Sequence, residues 1–198
     1  DEFEDVFRRC TGADKQVPMH DGKERTCIVP FVGQSEKLCE LLDDSRIIGI
    51  ISDLLGDDFS YLAGDGNFYS GDTPWHSDNW SQDVRWIKIA FYLDPLTKET
   101  GALRVIPGSH RMDDPFADEV HQTIGDSMAS WGAKPQDVPA VALEVFPGDL
   151  VLFDQRLKHA SFSGGENRRM FTMNFCERCR TPLQIESLRD TVRAQARF

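Results

Sequence analysis

The sequence predicts a mainly β protein of the jelly-roll kind, a sandwich or barrel with helices packed on one side. Three features carry the prediction. Between residues 59 and 176 the apolar residues fall in short runs divided by Gly and Pro turns, the pattern of many antiparallel strands. Before residue 59 the spacing is helical, with Leu38, Leu41 and Leu42, then Ile47, Ile48, Ile51, Leu54 and Leu55, on repeating faces. The run from Arg85 to Leu93 alternates residue by residue, as a strand with two different faces must.

In chain order, residues 1–33 show little periodicity beyond a short strand at residues 27–31. Ser35 can cap the first helical run through its hydroxyl, and Gly56 closes the second. Residues 1–58 are therefore expected to supply helices and one strand that pack on a core formed by residues 59–176. Strands are expected at residues 59–63 and 67–69, interrupted by Gly64, Gly66 and Gly71, with Pro74 breaking the chain before His76. In the strand at residues 85–93, Ile87, Ile89, Phe91 and Leu93 should meet helices, whereas Trp86, Lys88, Ala90 and Tyr92 should line a cavity. A loop at residues 95–101 leads to a strand and turn at residues 102–110, and residues 115–131 form a polar helical or loop insertion. Residues 138–146 and 150–154 read as a strand pair joined at Pro147-Gly148-Asp149. A last strand runs over residues 168–176, and a closing helix over residues 182–198 uses Leu183, Ile185, Leu188 and Val192.

A chain of 198 residues is expected to be one domain with a core large enough to need no disulfide or structural metal. The net charge of −11, with no basic run, argues against nucleic-acid binding. No segment approaches the roughly 18 apolar residues of a membrane span, so no membrane partner is expected. Five irregularly spaced cysteines argue against a secreted disulfide framework and for a reducing compartment, the cytoplasm. The lone Cys176-Glu-Arg-Cys179 has no second pair to make a zinc site and reads as structural. His110 sits in a Pro-Gly-Ser-His turn and also reads as structural, and His20 and His121 are expected to face solvent. Trp75, Trp80 and Trp86 are candidates for either core packing or a substrate wall.

The chemistry concentrates at His76-Ser77-Asp78. If this triplet is extended, the imidazole and the carboxylate project from one face, and a third ligand from another strand would complete a 2-His-1-carboxylate set with open metal positions. Downstream stand Pro147-Gly148-Asp149, then His159-Ala160-Ser161, then Arg168 and Arg169. Between the two histidines runs Gly101 to His110, reading Gly-Ala-Leu-Arg-Val-Ile-Pro-Gly-Ser-His.

In this order and spacing the segments resemble the phytanoyl-CoA dioxygenase family of Fe(II)/2-oxoglutarate oxygenases over residues 59–176. The resemblance implies a double-stranded β-helix, a jelly-roll barrel of the cupin kind. It implies that His76, Asp78 and His159 hold Fe(II), with 2-oxoglutarate and O2 as the cosubstrates. An arginine on the last strand would hold the distal carboxylate of 2-oxoglutarate. Arg168 shares a face with Met170, Thr172 and Asn174, and Arg169 with Phe171, Met173 and Phe175; the aromatic face should pack outward, so Arg168 should point inward. Ser161 matches a hydroxyl that the family uses beside this arginine. Lys88, Asn67 and Tyr69 are further candidates for contact with the cosubstrate. The implied reaction is hydroxylation of an unactivated C–H bond of a small-molecule substrate, with release of succinate and CO2. Asp78 favours it over halogenation, because related halogenases replace this carboxylate with a small residue. The alternative is a non-catalytic or 2-oxoglutarate-independent cupin-like metal-binding protein, which has no use for an inward arginine.

Overall fold

The computed structural model describes residues 1–81 and 83–195 as two antiparallel sheets with helices packed on the outer face of each. The larger sheet takes the order β1 (Thr26–Ile28), β3 (Gly66–Tyr69), β10 (Arg168–Cys176), β5 (Trp86–Tyr92) and β8 (Leu150–Asp154), with β2 (Ser60–Tyr61) pairing the far end of β10. The smaller sheet is β4 (Thr73–His76), β9 (His159–Ser161), β6 (Leu103–Val105) and β7 (Val141–Leu143). Tyr92, Ala90, Val151 and Phe153 from the larger sheet pack with Leu103 and Val105 from the smaller, so the sheets face one another across a shared core. This is the jelly-roll arrangement that the alternation of short strands and turns predicts.

The parity of β5 and β10 sets the layers. Ile87, Ile89, Phe171, Met173 and Phe175 project outward into one apolar cluster with the helices. Helix α3 (Ser45–Leu55) supplies Ile47 and Ile51 to that cluster and ends at Gly56, whose φ of +88° suits glycine. Ser35 caps α2 (Glu36–Cys39), its hydroxyl accepting from the Leu38 amide at 3.3 Å. The low periodicity of residues 1–33 hides a further helix, α1 (Glu2–Cys10), whose Phe3, Val6 and Phe7 are buried against Phe31 and Phe68. Burial of such side chains contributes roughly 1.5–3 kcal/mol each.

Two other expectations are corrected. Pro74 does not break the chain but lies within β4, an edge strand, where its missing N–H removes no ladder bond. The strands around Pro147-Gly148-Asp149 do not pair with each other: β7 pairs with β6 and β8 with β5, so the turn carries the chain from one sheet to the other. The insertion at residues 115–131 folds as α4 (Pro115–Thr123) and α5 (Ser127–Trp131), with Ala117, Val120 and Ile124 buried on the outside of the smaller sheet near Trp75 and Phe162. Helix α6 (Pro182–Gln195) covers one end, Leu188 packing against Val84, Trp86 and Cys176; residues 196–198 of the expected closing helix lie outside the described residues. Among the described residues no helix is long and apolar enough to cross a membrane.

Candidate metal and cosubstrate site

The triplet and the distant histidine meet because β4 lies beside β9. Thr73 pairs with Ser161 and His76 with His159, with an irregularity between them that aims His76 across the strand pair. The two imidazole rings stand 4.2 Å apart between centroids. Asp78 lies past the end of β4 rather than in an extended triplet, in a bend whose Asp78 and Asn79 amides donate to the Gln155 carbonyl at 3.0 and 3.2 Å. Its carboxylate reaches 3.7 Å from His76 Nε2 and 3.6 Å from His159 Nε2. Among the described residues this is the one group of three or more His, Cys, Asp or Glu able to share an ion, with its donor atoms all within 4.8 Å.

Both histidines are oriented by the backbone. His76 Nδ1 lies 2.8 Å from the Pro74 carbonyl and His159 Nδ1 2.9 Å from that of Leu157. A carbonyl only accepts, so each Nδ1 carries a proton, and each Nε2 is turned toward Asp78. Burial pushes the His159 imidazole down to about 4, against the pull of Asp78, so at neutral pH the ring is an uncharged donor. Burial works to raise the Asp78 carboxyl, but the Lys88 ammonium 2.8 Å away outweighs it and holds Asp78 far below the usual carboxylate range. Two imidazoles and one carboxylate form a donor set that suits a non-heme Fe(II) ion.

The other end of the same cavity, which spans about 540 Å³ counting space open to solvent, belongs to Arg168. Its Nη1 donates to Ser161 Oγ at 2.6 Å and to the Gly101 carbonyl at 3.0 Å, and its Nη2 donates to the Gly71 carbonyl. Ser161 Oγ in turn donates to the Gly101 carbonyl at 2.8 Å. A Cβ on Gly164 would overlap the guanidinium and one on Gly101 would come within 2.8 Å of Nη1, so two glycines make the slot. Burial lowers the Arg168 guanidinium, against the pull of Tyr92 and Tyr69. Among the described residues no carboxylate pairs with it within 4.0 Å, and its Nε is buried without a partner. Arg169 points the other way and is taken by Asp94 at 2.8 Å and Glu4 at 2.7 Å. A buried cation open to the cavity is fitted to receive an anion.

The remaining candidates divide. Tyr69 lines the cavity under Arg168, the guanidinium standing 5.5 Å from its ring centre. Asn67 does not line it: it is fully buried, donates to Asp65 at 2.7 Å and accepts from Arg25 Nε at 2.6 Å. Lys88 lines the cavity, but its ammonium lies 2.8 Å from Asp78 instead of standing free for a cosubstrate. Trp86, expected on the cavity wall, packs under α6, and Trp75 is core, its Nε1 donating to the Pro135 carbonyl at 2.8 Å. Neither histidine expected in solvent is free: His20 bridges Thr26 and the Glu166 carbonyl, and His121 stacks on Trp80 with centroids 4.1 Å apart. A second cavity, missed by the sequence reading, adjoins the first and shares Asp65, Asp78 and Lys88 with it. Gln155 and Asn174, which line it, form an amide pair at 2.9 Å.

An ectoine dioxygenase from Sphingopyxis alaskensis is 29% identical over 174 residues, covering 75% of this chain and 56% of that protein. The chain thus spans about half the length of this curated relative. Among solved structures, the non-heme alpha-ketoglutarate-dependent epimerase SnoN from nogalamycin biosynthesis aligns over 89% of this chain and 74% of its own, with a TM-score of 0.62 and 19% identity. HygX from Streptomyces hygroscopicus, solved with nickel and 2-oxoglutarate, aligns over 89% and 78%, with a TM-score of 0.62 and 15% identity. At these identities the two structures bear on the fold alone, and both share it. The model of one family, phytanoyl-CoA dioxygenase (PhyH), matches residues 39–170, from α2 to the start of β10, and so takes in both histidines, Asp78 and Arg168. With more than half of its length inside that model, the chain belongs to the phytanoyl-CoA dioxygenase family.

Proposed function

We propose that this chain is an Fe(II)- and 2-oxoglutarate-dependent dioxygenase that hydroxylates an unactivated C–H bond of a small polar molecule. The observation that carries the reading is the single cavity with a two-imidazole and carboxylate triad at one end and, at the other, a buried arginine with no carboxylate partner among the described residues. His76, Asp78 and His159 would hold the iron. Arg168 and Ser161 would hold the distal carboxylate of 2-oxoglutarate, the guanidinium fork giving a direction that an ammonium cannot. Bound there, the two groups supply O2-dependent oxidation of a C–H bond, with release of succinate and CO2. Ala90, Leu103, Phe153 and Met170 supply apolar wall between the two ends and limit water there. A metal-binding protein with no use for 2-oxoglutarate would leave Arg168 buried without an anion, which counts against that alternative.

The second cavity supports the choice of substrate class. It spans about 1110 Å³, counting space open to solvent, and reaches Asp78 itself. Its wall carries Arg25, Asn79, Lys88, Gln155, Asn174 and Thr191, with Val29 as its largest apolar side chain. A long acyl chain lying there would strip water from these groups and return no hydrogen bonds, at about 1–3 kcal/mol for each one left unsatisfied. A compact ligand bearing hydroxyl, amino or carboxylate groups would replace that water.

Mixed without oxygen, Fe(II), 2-oxoglutarate and the protein should give a weak visible charge-transfer band that His76→Ala abolishes. Succinate formation should follow on admitting air with a hydroxyl- or amino-bearing substrate. No band, together with no succinate from a panel of such compounds, would falsify the oxygenase reading.

A further inference from the structure

We propose that Lys88 is the positioning residue of the metal centre: it holds one oxygen of Asp78, so that the carboxylate offers the metal only the other. This rests on the iron-centre reading above and adds a residue to it. Lys88 sits in the middle of β5, opposite Asn174 of β10 and Phe153 of β8, so its backbone is fixed on both sides. Its side chain projects inward and keeps only 16% of its surface. An ammonium buried this far costs several kcal/mol unless paired. Its ion-pair partner is Asp78, with Oδ2 at 2.8 Å. The next nearest carboxylate is committed elsewhere: Asp65 binds Arg25 at 2.7 Å, the Asn67 amide at 2.7 Å and the Thr172 hydroxyl.

Asp78 needs such a partner. Its main chain is tied to Gln155, but the carboxylate rotates about a broad, two-fold torsion. At 3.6 and 3.7 Å the two imidazoles are too far to hydrogen-bond it, so among the described residues Lys88 alone grips it directly. Without that grip both oxygens can turn to the metal. A two-oxygen carboxylate would occupy one of the three positions that a 2-His-1-carboxylate set leaves open, and 2-oxoglutarate with O2 needs all three. Lys88 also repels a divalent ion, so its presence is not explained by tight metal binding. Its contribution lies in keeping a position free.

The test separates two affinities. Co(II) binding to the metal-free protein is measured by calorimetry, and 2-oxoglutarate binding is then measured on the Co(II)-loaded protein. Lys88→Met should bind Co(II) at least as tightly as wild type while losing 2-oxoglutarate affinity by at least about 10-fold, the lower end of what loss of a metal ligand's partner costs in activity. Lys88→Arg, which keeps the charge and a donor, should recover most of the loss. If Lys88→Met does not fold by circular dichroism, Lys88→Gln should show the same split. A lysine that is merely structural would weaken both affinities together, and that parallel loss, or an unchanged 2-oxoglutarate affinity, overturns the proposal. Failure of wild type itself to bind 2-oxoglutarate on Co(II) would instead overturn the iron-centre reading.

Discussion

Arg168 and Arg169 are neighbours in sequence with opposite surroundings, and replacing each by alanine separates the anchor from the surface ion pair. Arg168 is 9% exposed, donates to Ser161 and to two carbonyls, and has no carboxylate partner among the described residues. If 2-oxoglutarate supplies that partner, truncation removes a charge-assisted pair in a place that bulk water reaches poorly. Loss of one member of such a buried pair costs about 2–5 kcal/mol. At about 1.4 kcal/mol per decade, the 2-oxoglutarate requirement should rise at least about 30-fold. Arg169 keeps 24% of its side-chain surface and pairs with Asp94, Glu4 and Asp1 on the outer face. Its loss should cost on the order of 1 kcal/mol of stability and leave the 2-oxoglutarate requirement within experimental scatter. Succinate release measured against 2-oxoglutarate concentration reads the first effect, and urea unfolding the second. Co(II) affinity, measured alongside, should be unchanged in both variants, because neither side chain touches the triad. Equal shifts in the 2-oxoglutarate requirement for the two variants would refute the argument from strand parity.

Gly164→Ala should reproduce much of the Arg168→Ala defect without touching the arginine, because the added Cβ overlaps the guanidinium; misplacement of a clamp by about 1 Å costs on the order of 100-fold, and a 2-oxoglutarate affinity equal to wild type would show that the slot has slack. Acid sensitivity should have a component at Asp154, where burial works to raise the carboxyl but hydrogen bonds from Arg156 and the charge of Arg85 outweigh it and leave it lowered. A carboxyl lowered on folding stabilises above its unfolded value of about 3.9 and loses that contribution as pH falls through the folded value. Asp154→Asn should therefore be less stable than wild type at pH 7, with the gap in urea midpoints closing below about pH 4; a gap that stays constant with pH would remove Asp154 from the account.

Much of the frame was legible because period-two patterning is local. Once β10 lies against helices on one side, Phe171, Met173 and Phe175 can face only outward, and Arg168 must face inward. What the sequence did not reveal depended on partners far along the chain. Phe3, Val6 and Phe7 have helical spacing, but the run is short and surrounded by charge, and its cover, Phe31 and Phe68, belongs to other elements. The residues Pro147-Gly148-Asp149 announce a turn, and Asp149 Oδ2 accepts from the Phe146 amide at 2.8 Å. Nothing in a turn's composition says to which sheet the chain returns. The place of Asn67 is hidden for the same reason: its partners Arg25 and Asp65 meet it only after β1, β3 and the loop between β2 and β3 assemble.

The inward face of β5 shows where parity stops being informative. Trp86, Lys88, Ala90 and Tyr92 share that face, and alternation treats them alike. Along about 20 Å of strand, at 3.2–3.4 Å per residue, they meet three environments. Trp86 is closed over by α6 through Leu188, Lys88 stands beside the Asp78 carboxylate, and Ala90 and Tyr92 line the cavity that ends at Arg168. Parity fixes the side of a sheet; depth along the strand is fixed by what covers each end of the space between the sheets. Here α6 and the bend after β8 close one end, and the loops bearing Gly101 and Gly164 shape the other around Arg168. The lysine falls between these covers, where a carboxylate from the opposite sheet's edge can reach it. A cation at this depth can therefore act on Asp78, whereas one two residues away in either direction would meet apolar packing or the end of the cavity nearer Arg168.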